Sequence, residues 1–229
     1  MQQRDFSDFD IRVMRTADLS ADDRARLLAL FREAYRDANA AYLEKSLGLL
    51  RFVSIATHGD TPAGFALGDG RVMDLPRLPQ QAVNLAGICC IGADFRRRGL
   101  FGQLERLAII QSYDTPPARY LNCGRMAHPV SFRIMATNPT AIPRPGLTPS
   151  PWQQEIGAAI AQAYGVVDFD PKTFVCHGSG VPIGYPNIDL DVAPEEWEVF
   201  EHVNRDKGDS LLGLNWMPDA PEGWLSDGS

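Results

Sequence analysis

Residues 88–104 read Ile88-Cys89-Cys90-Ile91-Gly92-Ala93-Asp94-Phe95-Arg96-Arg97-Arg98-Gly99-Leu100-Phe101-Gly102-Gln103-Leu104. An apolar run, Val83–Ile91, stops at Gly92. A short loop then carries three arginines and a glycine, and Leu100, Leu104, Leu107 and Ala108 follow at helical spacing. The nearly continuous apolar run predicts a strand buried on both faces, and the later spacing predicts an amphipathic helix starting near Gly99. A strand, tight loop and helix in that order make an anion site. The first N–H groups of a helix have no intrahelical partner, and the helix dipole adds roughly half a positive charge there. A glycine lets backbone approach a phosphate closely, and flanking arginines reach further oxygens.

Working outward, residues 9–16 alternate as a half-buried strand does, and Ser20 with Asp23 forms a capping box for a helix whose face is Leu27, Phe31, Ala34, Tyr35 and Ala38. A second helix is predicted over 40–50, then a hairpin of strands 52–57 and 63–67 turning at His58-Gly59-Asp60. Residues 75–82 read as a Pro-rich loop, 119–123 as a strand, 128–135 as a short helix and 138–149 as another Pro-rich loop. Ser150-Pro151-Trp152-Gln153 opens a capped helix that stops at Gly165. A short helix over 194–203 and a strand over 210–216 complete the chain. The expected fold is α/β: a mixed central sheet flanked by helices. Residues 1–149 are expected to form the ligand-binding core and 150–229 a helix-and-strand extension packed on it.

The chain has 229 residues, 45% of them hydrophobic and 22% charged, which is globular composition. No apolar run reaches the ~20 residues of a membrane span, and the start, MQQRDFSDFD, is too acidic and polar for a leader. A soluble cytoplasmic protein is expected. Cys89, Cys90, Cys123 and Cys176 show no CxxC spacing, so neither a zinc site nor a redox motif is expected, and the four histidines suggest no metal cluster. The net charge of −7 is divided unevenly. Residues 1–150 hold 19 Lys+Arg against 15 Asp+Glu, a balance of +4, and residues 151–229 hold 3 against 14, a balance of −11. A phosphate-bearing ligand suits the first part and a cationic one the second. The isolated Arg96-Arg97-Arg98 run is too short for a nucleic-acid surface.

The 88–104 stretch resembles motif A of the GNAT superfamily, the acyl-CoA-dependent N-acyltransferases. That motif is an apolar strand, a Val, two residues, an acidic and an aromatic residue, then R-x-x-G-x-G/A. Ile91 stands for the Val, Asp94 and Phe95 match, and Arg96 to Leu100 match R-x-x-G-x; Phe101 replaces the small residue, with Gly102 directly after it. The resemblance implies an acyl-CoA, acetyl-CoA or another, as co-substrate. Backbone N–H groups of Arg97, Arg98, Gly99, Leu100, Phe101 and Gly102 would hold its pyrophosphate, helped by Arg96. Backbone at Ile91 and Ala93 would meet the pantetheine and polarise the thioester carbonyl. It further implies transfer of an acetyl or other acyl group to an amine on a small molecule or peptide.

A second family signature, N-x-x-S/A-x-R-L-Y, resembles residues 128–135. Ser131 and Arg133 match, His128 replaces the Asn, and Met135 stands where the family places its proton-donating Tyr. The resemblance therefore leaves Ser131, His128 or water as the general acid. Tyr164, next to a helix stop, ranks below them. The strand over 83–91 holds no carboxylate to act as base, so the amine would arrive neutral or lose its proton to water. Those two departures also fit an acyl-CoA-binding module without transferase activity, or the same fold with other acyl-CoA chemistry, such as decarboxylation or transfer from a carrier protein.

Overall fold

A computed structural model describes residues 6–225; part of the polar start on which the no-leader reading rests lies outside them. In chain order the elements are β1 (Asp10–Arg15), α1 (Ala21–Ala34), β2 (Tyr35–Arg36), α2 (Ala40–Leu49), β3 (Phe52–His58), β4 (Thr61–Leu75), β5 (Leu78–Ile91), α3 (Leu100–Ile110), β6 (Tyr120–Met126), α4 (Pro129–Ala136), α5 (Pro151–Ala163), β7 (Phe169–Asp170), β8 (Val175–Cys176), β9 (Tyr185–Pro186) and β10 (Ser210–Met217). The expected α/β class with a mixed sheet is the observed one. Both capping boxes form: Ser20 Oγ accepts from Asp23 N–H at 3.1 Å and Ser150 Oγ from Gln153 N–H at 3.3 Å, each satisfying an N–H that the helix itself cannot. Among the described residues, no helix is long and apolar enough to cross a membrane.

Three segments differ from expectation. Residues 75–82 are not a loop. β4 and β5 extend through them as one long hairpin, turning at Pro76-Arg77 with Arg77 at φ 64°. Asp74 Oδ1 holds the turn by accepting from Gln80 N–H at 2.9 Å and Gln80 Nε2 at 3.0 Å, and Pro79 is tolerated at the start of its strand. α1 ends at Ala34, because Tyr35 and Arg36 pair with Pro186 and Tyr185 instead of continuing the helix. Residues 194–200 form a 3-10 helix. Its three-residue turn aligns Trp197 with Phe200, whose rings meet edge-on at 6.2 Å.

The chain divides into two units. The first comprises Met1–Gly70, Ala86–Pro116 and Gly184–Asn187; its strand order is β1-β3-β4-β5, with the small ribbon β2-β9 beside it. β1 is antiparallel to β3, and β3 to β4. The second comprises Arg71–Leu85, Pro117–Ile183 and Ile188–Ser229, and carries the order β4-β5-β6-β10-β8-β7. There β5 and β6 run parallel: Gln81 meets Arg119 and, further along both strands, Asn84 meets Asn122, each at 3.0 Å. β10 is antiparallel to both β6 and β8. Trp152, Trp216 and Trp224 pack edge to face at 5.8 Å in this unit.

In the first unit, α3 lies unusually close to the strands. Gly64 and Gly68 of β4 face it together with Ala56 of β3 and Ala66 of β4. A Cβ on Gly68 would lie 2.8 Å from Ile109 Cγ1 and 3.2 Å from the Ile109 backbone nitrogen. Ser54 Oγ, fully buried, donates to the Leu104 carbonyl at 2.7 Å. The small strand residues let the Leu104 and Ile109 side chains, and at Gly68 the helix backbone itself, pack directly on the strands. Gly68→Ala is expected to force α3 outward at a cost of about 1–3 kcal/mol, lowering Tm by roughly 2–10 °C. A melting curve equal to wild type would show that α3 does not depend on this approach.

Candidate functional site

Ile91 ends β5, and Gly92 turns the chain by donating its N–H to the Ala63 carbonyl at 2.9 Å. Residues 93–95 make one 3-10 turn that buries Phe95 against Ala56, Ala63, Leu100 and Leu104. Arg97 follows at φ 65° and Gly99, the N-cap of α3, at φ 85°. Two left-handed residues so close together fold the loop back sharply, and only the glycine adopts that conformation without strain. Gly99 offers no side-chain cap, so the first-turn N–H groups of Leu100, Phe101 and Gly102 are left for an outside acceptor. A Cβ on Gly102 would meet nothing within 4 Å, so an approaching phosphate has open space there.

The three arginines do different things. Arg96 is committed within the protein: its Nε donates to the Ile91 carbonyl at 3.3 Å and a terminal nitrogen donates to the Asn187 carbonyl at 2.9 Å. Arg98 lies over the Phe95 ring, 5.7 Å from its centroid. Arg97 is exposed. Ile91, Ala93, Arg96, Arg97, Arg98, Gly99, Leu100, Phe101 and Gly102 are thus brought together around one turn of the first unit, while His128 and Ser131 belong to the second.

One residue at this turn has no signal in the sequence. Glu33, on α1, accepts the Ala93 N–H on Oε1 at 2.9 Å. A carboxylate therefore does stand at the end of β5, supplied from a helix 60 residues earlier. The helical face pattern of α1 marks its buried residues, and Glu33 is exposed, so that pattern passes over it. Asn187 secures the same spot, donating from its backbone N–H to the Ala34 carbonyl at 2.8 Å and from Nδ2 to the Glu33 carbonyl at 2.9 Å.

In the second unit, His128 is the N-cap of α4: its Nδ1 accepts the Val130 N–H at 3.3 Å. That bond leaves the proton of the neutral ring on Nε2. Burial first, then the charges of Arg205 and Arg133, hold the ring below the usual histidine range. Arg133 pairs with Glu196, its terminal nitrogen 2.8 Å from Oε2, and that pairing depresses the Glu196 carboxyl to about 2. Ser131 follows one turn into α4, half-buried, and Met135 packs over Gly213 of β10. Tyr164 is buried and donates to the Cys123 carbonyl at 2.8 Å, which makes it a packing residue. The four cysteines are free, and burial pushes every thiol upward.

No family model matches the chain, and no curated protein matches it. Among solved structures, it is similar to an Escherichia coli GNAT family N-acetyltransferase, YhbS, in complex with CoA, at 18% identity and TM-score 0.39, covering 55% of this chain and 66% of that one. It is also similar to a GCN5-related N-acetyltransferase from Kribbella flavida, at 14% identity and TM-score 0.37, covering 58% of this chain and 34% of that one. A third is an aminoglycoside acetyltransferase from an uncultured soil metagenomic sample, in complex with sisomicin, at 14% identity and TM-score 0.32, covering 44% of this chain and 67% of that one.

Glu105 projects from the second turn of α3, half-buried, and loss of solvent raises its carboxyl from 4.5 to about 7. The folded protein then holds this proton more tightly than the unfolded chain does. Its contribution to stability is complete below about pH 4.5 and is lost as pH rises through about 7. Glu105→Gln should therefore be more stable than wild type at pH 8, by at most about 3 kcal/mol, with the difference shrinking toward pH 4. Urea titrations at both pH values check this, and a difference independent of pH would mean that the carboxyl is not desolvated.

Proposed function

We propose that this chain is a GNAT-type acyltransferase that moves an acetyl or other acyl group from CoA to an amine on a small molecule or peptide. The observation that carries the reading is the turn between β5 and α3: two left-handed residues, an uncapped helix N-terminus, open space over Gly102 and an exposed Arg97. A diphosphate fits such a turn, because free N–H groups and the positive end of a helix dipole converge on it. Leu100, Phe101 and Gly102 bind it through backbone N–H groups, and Arg97 and Arg98 supply charge. Arg96 acts indirectly, holding the loop by the Ile91 and Asn187 carbonyls.

The backbone at Ile91 and Ala93 receives the pantetheine arm and the acyl carbonyl. An N–H aimed at the carbonyl oxygen stabilises the charge that develops there during attack, a contribution typically worth about 3 kcal/mol. The departing sulfur needs a proton or a hydrogen bond. Within the second unit, the Ser131 hydroxyl and the Nε2–H of a neutral His128, whose Nδ1 caps α4, are donors of the kind such a step uses. The acidic surplus of residues 151–229 favours a cationic acceptor. Met135 in place of the family's Tyr favours a second reading, an acyl-CoA-binding protein without transfer activity.

Calorimetry with CoA tests the site, and thiol release from acetyl-CoA in the presence of amines separates the two readings. Gly102→Leu keeps the helix, since the position is open and Leu is a good helix former, but covers the first-turn N–H groups. It should weaken CoA binding by at least about tenfold, equivalent to 1.4 kcal/mol. Unchanged CoA affinity in this variant would exclude the turn as the diphosphate site.

A further inference from the structure

At the end of β5 the Gly92 N–H donates to the Ala63 carbonyl, and the pairing of the next N–H is unexpected. The Ala93 N–H, which the acyltransferase reading assigns to the acyl donor, is already bonded to the Glu33 carboxylate at 2.9 Å. We propose that Glu33 is a switched carboxylate: it occupies the Ala93 N–H until an acyl-CoA takes that donor, and the carboxylate so released accepts the proton of the incoming amine. This rests on the acyltransferase reading and adds to it the base that β5 lacks.

Three features support the switch. Glu33 is exposed on the last turn of α1, so its side chain has room to rotate. Its backbone does not: Asn187 pins the Glu33 and Ala34 carbonyls, and Arg96 pins Asn187 in turn. The side chain therefore swings from a fixed anchor and stays beside the turn. Arg96 directs its Nε–H and one terminal N–H at the Ile91 and Asn187 carbonyls and not at the carboxylate.

The step balances without a further reactant. Glu33 takes one proton from the ammonium, and the nitrogen lone pair forms the C–N bond to the thioester carbon. The C–S bond breaks with its electrons on sulfur, and a second nitrogen proton passes to that sulfur. Glu33 then returns its proton to water. Acyl donor must bind before Glu33 is free, so the order is donor first, amine second.

Glu33→Ala and Glu33→Gln test this together. The glutamine still accepts the Ala93 N–H but cannot take a proton, so it separates catalysis from support of the loop. Calorimetry should show Glu33→Ala binding acetyl-CoA about 3- to 10-fold more tightly than wild type, with CoA itself, which lacks the acyl carbonyl, changed by less than about twofold. With acetyl-CoA and a panel of spermidine, tyramine and a lysyl peptide, both variants should lose about 100-fold in kcat at pH 7 and recover toward wild type at pH 10, where the amine arrives neutral. Equal acetyl-CoA affinity in Glu33→Ala and wild type, or Glu33→Gln retaining wild-type kcat at pH 7, would overturn the proposal. Failure of wild type to bind either CoA ligand would instead overturn the acyltransferase reading on which it rests.

Discussion

The first unit depends on how closely α3 sits on β3 and β4. Gly64 and Gly68, with Ala56 and Ala66, put only small residues on the strand side of this contact, against Leu104, Ala108 and Ile109 of the helix. Ser54 then reaches the Leu104 carbonyl, a bond that buried polar groups must find somewhere. The turn that leads from Ile91 to the start of α3 contains two left-handed residues, Arg97 and Gly99. The candidate anion site thus lies at the N-terminus of a helix that packs on small residues of β3 and the adjacent β4.

A second constraint is the set of bonds that the turn makes with the rest of its unit. Arg96 ties the Ile91 carbonyl to Asn187, and Asn187 ties itself to Glu33 and Ala34. Three separate stretches of chain, from α1, from the turn after β5 and from residues 184–187, meet through these bonds. An arginine that reads as a phosphate ligand thus serves as a clamp, while the first-turn N–H groups remain available. Holding backbone rigid and leaving donors unpaired is the arrangement that electrostatic preorganisation requires.

In the second unit, charge serves structure as much as chemistry. His128 spends Nδ1 on the α4 cap, and Arg133 spends its guanidinium on Glu196 and the Asp191 carbonyl. Both residues fall within the weaker of the two sequence resemblances, and both have a local structural duty. Ser131 has no capping duty. The acidic residues of the chain's last third are partly used in the same way, Glu196 with Arg133 and Asp209 with the N–H groups of Gly178 and Asn204.

Features that depend on neighbours along the chain are legible in the order of residues alone. Ser20 with Asp23 and Ser150 with Gln153 mark helix starts, the 83–91 run marks a buried strand, and Gly99 marks the start of α3. In each case the causal contact lies within a few residues. The proline signal at 75–82 misled for the complementary reason. Asp74 and the Trp152 Nε1–H, which meets the Pro76 carbonyl at 2.8 Å, stabilise the hairpin there against local preference. That Arg96 is a clamp, that residues 184–187 join the first unit and that Glu33 meets Ala93 emerges from the folded chain. Those bonds link residues 60 to 154 positions apart, and no periodicity or spacing in a single sequence encodes which exposed polar side chain such a fold will bring to a given N–H.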